Sequence, residues 1–315
     1  MERATATIFL RSALGTPLKG DTLFGQLCWE ISNQLGGQRL DELLQGYTRG
    51  EPSLVLSDAL PAGYLPLPHL PLARFDPVSG VDPKQLKRRS WIAIDHLQKP
   101  VSSWLAEAVE HPEGEAATRL ELQPHNSINR HTGTTGKGGF APYTQEQMWK
   151  GSLHPLEIHL LFDEKRIVLE EIEHLLGGIG LSGYGRDASI GLGKFDLASL
   201  KKGEALEQPS SNAGITLAPS APQGMGHDPH RSFYTPFTRF GRHGGQAVHL
   251  GNPFKTPLLL AERGAMLADG ENADQNQSGF VGQGIGGDGQ LSKVMPETVH
   301  QGYAPVVRVE MGGSQ

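Results

Sequence analysis

Gly177-Gly178-Ile179-Gly180-Leu181-Ser182-Gly183-Tyr184-Gly185-Arg186-Asp187-Ala188-Ser189-Ile190-Gly191-Leu192-Gly193-Lys194-Phe195 holds seven glycines, with Tyr184, Arg186 and Lys194 among them. A helical pattern precedes it, Lys165 to Leu176, with Ile167, Ile172, Leu175 and Leu176 as its apolar set. A β-rich run, Lys194 to Leu197, follows. A helix–strand turn needs one or two glycines. Seven let backbone N–H groups approach a phosphate or another chain closely, with positive φ open at each. Tyr184 offers a stacking face and Arg186 a phosphate partner. The loop is expected over 177–193.

Working outward, Thr5 to Arg11 reads as a first strand. Asp21 is placed to cap a helix in which Leu23, Leu27, Ile31 and Leu35 recur at helical spacing, ended by Gly36 and Gly37. Cys28 lies on the flank of that stripe and reads as a buried structural thiol. A short helix over Arg39 to Tyr47 and a strand over Ser53 to Leu56 come next. The proline-rich stretch Ala62 to Pro77 must be extended. It opens an insertion, near 62–150, with a helix near Ser103 to Glu110 and a strand at Arg119 to Gln123. Leu156, Ile158, Leu160 and Phe162 alternate as a strand. Strand–helix–strand, repeated after an insertion, is the ferredoxin-like (RRM-like) split βαβ pattern, so the expected class is α+β. The expected organisation is a first domain over 1–203, a Pro/Ser/Gly/Ala-rich linker over 204–229, and a second, degenerate ferredoxin-like half over 230–315 with strands at Pro257 to Leu260 and Val306 to Val309.

Composition narrows the chemistry. Gly 41 and Pro 22 make up about a fifth of the 315 residues, which implies many loops and little long helix. A single cysteine rules out an internal disulfide and a cysteine-based zinc site. No apolar run reaches membrane-spanning or signal-peptide length, so a cytoplasmic chain without membrane contact is expected. The net charge of −6 argues against a general nucleic-acid coat. The acids are clustered, however. None lies between Glu121 and Glu146, a span with His125, Arg130, His131 and Lys137, nor between Asp228 and Glu262, a span with Arg231, Arg239, Arg242 and Lys255. Both spans can accept phosphates without like-charge repulsion.

Catalytic and cofactor signatures fail in detail. Gly133 to Gly138 approaches a P-loop, but its first glycine would fall at His131 and Gly138 replaces the Ser or Thr. Gly191 to Phe195 fails for the same last reason. Gly282-Gln283-Gly284-Ile285-Gly286-Gly287 fits G-x-G-x-x-G, yet only 28 residues follow it, too few for a dinucleotide unit. His227-Asp228-Pro229-His230 has no further ligand cluster beside it. No cofactor and no metal are expected. His131 beside Arg130 is the best acid–base candidate; an RNA contact without chemistry is the favoured reading.

Four further segments give the glycine-rich loop a family context. Gly15 to Trp29 (GTPLKGDTLFGQLCW) resembles the first loop and helix of the RAMP superfamily of CRISPR-associated proteins. Ser57-Asp58-Ala59-Leu60-Pro61 resembles its S-D-A-x-P segment, Asn126 to Thr135 its central loop, and Tyr303 to Val307 its C-terminal strand. In that order they resemble the family of fourth subunits of type III-A (Csm) effector complexes, members of the Cas-five group. The resemblance implies a RAMP domain with insertions and a non-catalytic, crRNA-binding role at the 5′ handle of the guide. It implies docking to the large Palm-domain (polymerase/cyclase-like) subunit and to the backbone RAMP subunit, with target RNA met indirectly. It points to Lys19 and Gly20, to Arg130, His131, Thr134 and Thr135, and to Gly183, Tyr184, Gly185 and Arg186 as RNA-binding residues; Lys137, Arg239 and Arg242 join them on charge alone. Two other readings stand beside it: a metal-independent crRNA-processing endoribonuclease acting through His131, and a protein-only adaptor.

Overall fold

The computed structural model describes residues 1–112, 119–136, 138–149, 154–249, 251–270 and 279–312. Strand β1 (Glu2–Leu10) alternates: Ala4, Ala6, Ile8 and Leu10 are buried and their neighbours are not. Helix α1 (Gly20–Leu35) buries Leu23, Phe24, Leu27 and Ile31, as its spacing demands. It starts one residue before Asp21, with Lys19 in the cap position and no side-chain cap, so Asp21 is not the N-cap. Helix α2 (Gly37–Leu44) follows Gly36, and β2 (Leu54–Pro61) is buried along its whole length.

The insertion divides in two. Its first part carries β3 (Tyr64–Pro66), α3 (Pro83–Leu86), β4 (Trp91–Ala93) and α4 (Trp104–Glu107). Leu65, Ile92, Leu97, Val101 and Trp104 from this part join the core of the second half. Its second part is a two-stranded ribbon, β5 (Arg119–His125) against β6 (Tyr143–Trp149), with both strands mostly exposed. The chain then enters β7 (Leu156–Phe162), α5 (Leu169–Ser182) and β8 (Phe195–Lys202). The first sheet runs β2-β7-β1-β8, every pair antiparallel, with α1 and α5 as the crossovers of a split βαβ unit.

Helix α5 outruns its expected end, because Gly177, Gly178 and Gly180 are helical. A Cβ on Gly180 would lie 2.3 Å from the Phe195 carbonyl oxygen, so this glycine lets the helix approach β8. The glycine-rich loop is therefore shorter than expected, starting at Gly183.

Residues 204–229 are not a linker. They contain β9 (Ala213–Thr216), buried throughout and central in a second sheet. The small residues that read as linker composition serve close packing: a Cβ on Gly214 would meet Val306 at 3.3 Å. The remaining strands are β10 (Pro236–Arg239), β11 (Leu258–Ala261), β12 (Met266–Ala268), β13 (Phe280–Gly282), β14 (Ile285–Gly286), β15 (Val299–His300) and β16 (Tyr303–Val309). The second sheet runs β12-β9-β16-β13, antiparallel throughout. That order differs from the first sheet's, and no α-helix follows α5 among the described residues, so the second half lacks the split βαβ form expected for it.

The halves share a core. The Tyr47 ring stacks on Phe24 at 4.7 Å and meets Tyr303 edge-on at 5.2 Å. The Tyr303 hydroxyl donates to the Tyr47 carbonyl at 2.6 Å. The Gln301 amide bonds both the N–H and the carbonyl of Leu56, at 3.0 and 2.8 Å.

Candidate nucleic-acid interface

The register of β2 against β7 slips between Leu56 and Ala59, and Ser57-Asp58 forms the bulge. The bulge frees backbone for other partners. The Asp58 N–H donates to the Leu217 carbonyl and the Ala59 N–H to the Leu18 carbonyl, both at 2.9 Å. It also buries the Asp58 carboxylate beside the first loop, where Oδ1 accepts from the Gly20 N–H at 2.9 Å and Oδ2 from Arg263 at 3.1 Å. Burial raises the Asp58 pKa, with Arg263 and Lys19 opposing it.

Lys19 extends the cluster. Its Nζ lies 2.5 Å from Glu262, 3.8 Å from Asp58 and 4.7 Å over the Phe237 ring. Arg239 grips Asp21 with two hydrogen bonds of 2.7 Å and also lies over the Phe237 ring, 4.7 Å from its centre. His300 Nε2 stands 3.4 Å from the same carboxylate. Lys19 and Arg239 are thus committed to internal carboxylates rather than presented to a phosphate.

The glycine-rich loop closes on the first loop. Tyr184 is fully buried; its hydroxyl donates to the Pro17 carbonyl at 2.9 Å and accepts from the Lys19 N–H at 3.3 Å. Its ring is therefore not a free stacking face, and burial raises its pKa well above the ordinary phenol value. Gln26 clamps both ends of this turn, donating to the Gly183 carbonyl at 2.8 Å and accepting from the Gly185 N–H at 3.0 Å. Gly185 has φ 75° and stands so close to Thr16 that a Cβ would come within 2.9 Å of it. Gly20 is buried against β2, where a Cβ would lie 2.3 Å from the Leu56 carbonyl oxygen. Gly20, Gly183, Tyr184 and Gly185 hold the two loops together instead of lining a surface.

The other expected residues do not join this cluster. Arg186 is exposed, donating to the Glu146 carbonyl at 2.7 Å and pairing with Asp187 at 3.3 Å, so it links the loop to β6. Arg130, His131, Thr134 and Thr135 are exposed at the tip of the β5–β6 ribbon, which the Asn129–Thr134 bridge closes. The His131 N–H donates to the Asn129 side chain at 2.9 Å. Lys137 lies outside the described residues. Along the ribbon Leu120 and Leu122 are 60% and 68% exposed, with Tyr143 and Trp149 also open to solvent. An isolated ribbon with so much apolar surface marks an interaction site. Arg242 is exposed 5.9 Å over the Phe254 ring.

The sequence reading missed the internal carboxylates that neutralise Lys19 and Arg239, and it missed Phe240 and Phe254, both exposed. Phe240-Gly241-Arg242, inside an acid-free span, was the available signal for the second pair. Among the described residues no group of three His, Cys, Asp or Glu side chains is placed to hold a metal, and no helix is long and apolar enough to cross a membrane. Cys28 is half-buried rather than buried as expected, and desolvation pushes its thiol up to about 12.

No protein-family model and no curated protein matches the sequence. Solved structures do match the fold. The class is α+β, built from several antiparallel sheets. Within it, the fold matches that of Csm4 from end to end. In a Csm1–Csm4 cassette in complex with cA4, the TM-score is 0.58 at 14% identity, covering 99% of this chain and 100% of that one. In the cassette with pppApA it is 0.57 at 14% identity, with both chains fully covered at 100%. In a Csm3–Csm4 subcomplex of the type III-A CRISPR–Cas interference complex it is 0.56 at 13% identity, again over 100% of each.

Proposed function

We propose that this chain is a non-catalytic, RNA-binding subunit of a type III-A (Csm) CRISPR effector, holding the 5′ handle of the crRNA. In this reading its first 203 residues are a ferredoxin-like RAMP domain, to which the second half is clasped. It docks the large Palm-domain subunit and a backbone RAMP subunit, as Csm4 accompanies Csm1 and Csm3 in the matching structures. The observation that carries the proposal is the full-length match to Csm4. The exposed cations at the ribbon tip, at Arg186 and at Arg242 support the RNA-binding part, since a splayed single strand is held through phosphates and stacked bases. His131 is assigned an RNA contact and no chemistry.

Co-expression with the neighbouring genes, purification through a tag on this chain and sequencing of the co-purified RNA test the reading. Short RNAs with one repeat-derived 5′ end, together with a large Palm-domain partner, are expected. Partners without RNA would favour a protein-only adaptor, a reading to which the inward-turned Lys19 and Arg239 and the apolar β5–β6 ribbon lend weight. Metal-independent cleavage of repeat RNA, lost in His131→Ala, would instead make it a processing ribonuclease.

A further inference from the structure

The outer face of the β10–β11 ribbon has a composition that the proposed function leaves unexplained. From Pro236 to Arg242 the chain alternates without a break: Pro236, Thr238, Phe240 and Arg242 are exposed, while Phe237, Arg239 and Gly241 turn inward. Such alternation continues the strand past its last ladder pair. On the partner strand, Leu259 is exposed opposite Thr238. Phe254 is exposed opposite Arg242, where an isolated bridge pairs the two. Thr238 pairs with Leu259 and Arg242 with Phe254, so the register slips by one residue between the two pairs. The exposure pattern slips with it, at the adjacent exposed residues Thr256 and Pro257.

One continuous face therefore carries Leu259, Thr238, Phe240, Arg242 and Phe254. Phe240 and Phe254 are 74% and 62% exposed, and Leu259 is 62% exposed. Phe240 sits two residues from Arg242 on the same face, which makes it a diagonal neighbour of Phe254 across the ribbon, within reach of successive groups on one extended ligand. The cation between the two rings is unopposed by local sequence: no acid occurs from 229 to 261. The inward Arg239 is the one that Asp21 neutralises, and Arg242 on the outer face stacks near Phe254 instead.

From this arrangement we infer that the β10–β11 face is a stacking platform for an unpaired stretch of RNA. Two neighbouring bases lie on Phe240 and Phe254, and Arg242 meets the phosphate between them. The inference rests on the RNA-binding reading and adds a site to it. Open aromatic rings at strand spacing around an arginine suit the π-faces and the polyanionic backbone of a single strand, whereas a paired duplex hides its bases in the stack. An acidic protein segment could meet Arg242, but it would leave two open rings without the flat partners that bases supply.

The test uses the full chain and a fluorescein-labelled single-stranded U12 RNA, followed by anisotropy. Phe240→Leu with Phe254→Leu keeps apolar bulk and removes the rings; affinity should fall by ~5- to ~150-fold for each base that loses its ring. Phe240→Trp with Phe254→Trp should restore it. Arg242→Gln should weaken binding and reduce the salt slope by about one. Unchanged U12 affinity in the double leucine variant, or no U12 binding by the unaltered chain, overturns the inference. So does loss of a protein partner from the co-purified complex with U12 affinity intact, which would make the face a protein-docking surface. These failures are distinct from failure of the RNA-binding reading itself, which shows as absence of guide RNA from the unaltered complex.

Discussion

The carboxylate of Asp21 lies buried at the start of α1, where burial alone would raise its pKa; His300 and Arg239 reverse that and hold it well below the usual carboxylate range. A buried pair costs most when one member is removed and the other is left behind. Asp21→Ala should therefore destabilise the chain by about 3–5 kcal/mol at neutral pH, read from urea midpoints. Asp21→Leu with Arg239→Met should recover much of the loss, because no charge is then stranded. The pH dependence has a fixed sign. Unfolded, the group titrates near 3.8, and its folded pKa is lower. Its contribution is present above about pH 4 and is lost as pH falls toward the folded value. Asp21→Asn should flatten stability against pH below 4, and an unchanged slope there would show that Asp21 is not the titrating group. Lone side chains were where sequence reading was weakest. Lys19, Tyr184 and Arg239 have the right chemistry for RNA, but nothing local reveals that Arg239 finds its acid 218 residues away.

Helix α5 shows how an element can be legible in kind and misjudged in extent. Its apolar positions Ile172, Leu175 and Leu176 announce the helix, while Gly177, Gly178 and Gly180 suggest that it has ended. They are helical for different reasons. A Cβ on Gly177 meets nothing, whereas one on Gly180 strikes the Phe195 backbone. Gly177→Ala should thus stabilise by up to about 1 kcal/mol through helix propensity, and Gly180→Ala should destabilise despite the same gain. Thermal unfolding of the two variants checks this, and melting shifts of the same sign would contradict it. The β5–β6 ribbon is the opposite case. It lies at the expected loop and was read only as one strand, because Tyr143 to Trp149 lacks clean alternation. Its strands are mostly exposed, and the backbone bridge between Leu14 and Met148 is one of its ties to the body. Replacing 121–146 with a short Gly-Ser turn should shift the melting temperature by no more than a few degrees, while RNA or partner subunits are lost on co-purification. A collapse of the fold would make the ribbon structural instead.

Across the whole molecule, the first sheet and its two helices were legible because β1 and β7 carry the strand period and α1 and α5 the helical one, each within a short window. The second half was not. Its strands are short, and β9 is built from Ala, Gly, Ile and Thr, a composition shared with linkers. What identifies it as core is non-local: β16 lies along β9, and Gln301 and Tyr303 reach back to Leu56 and Tyr47. The domain boundary expected at 203 therefore falls in sequence but not in energy. Strand β2 is buried on both faces, one toward α1 and the other toward the second half, where Asp58 meets Arg263 and the Leu217 carbonyl. Cutting the chain after residue 203 would expose that second face and the Tyr47 ring. It would also strand the charges of Asp21 and Asp58 without Arg239 and Arg263. A fragment of residues 1–203 should consequently keep far-ultraviolet dichroism but lose near-ultraviolet signal and a cooperative urea transition, the signature of unfixed packing. Adding residues 204–315 in trans should restore the transition if the clasp is what fixes the first sheet; a fragment that unfolds cooperatively alone would show that the first half is self-sufficient and the second half an appendage.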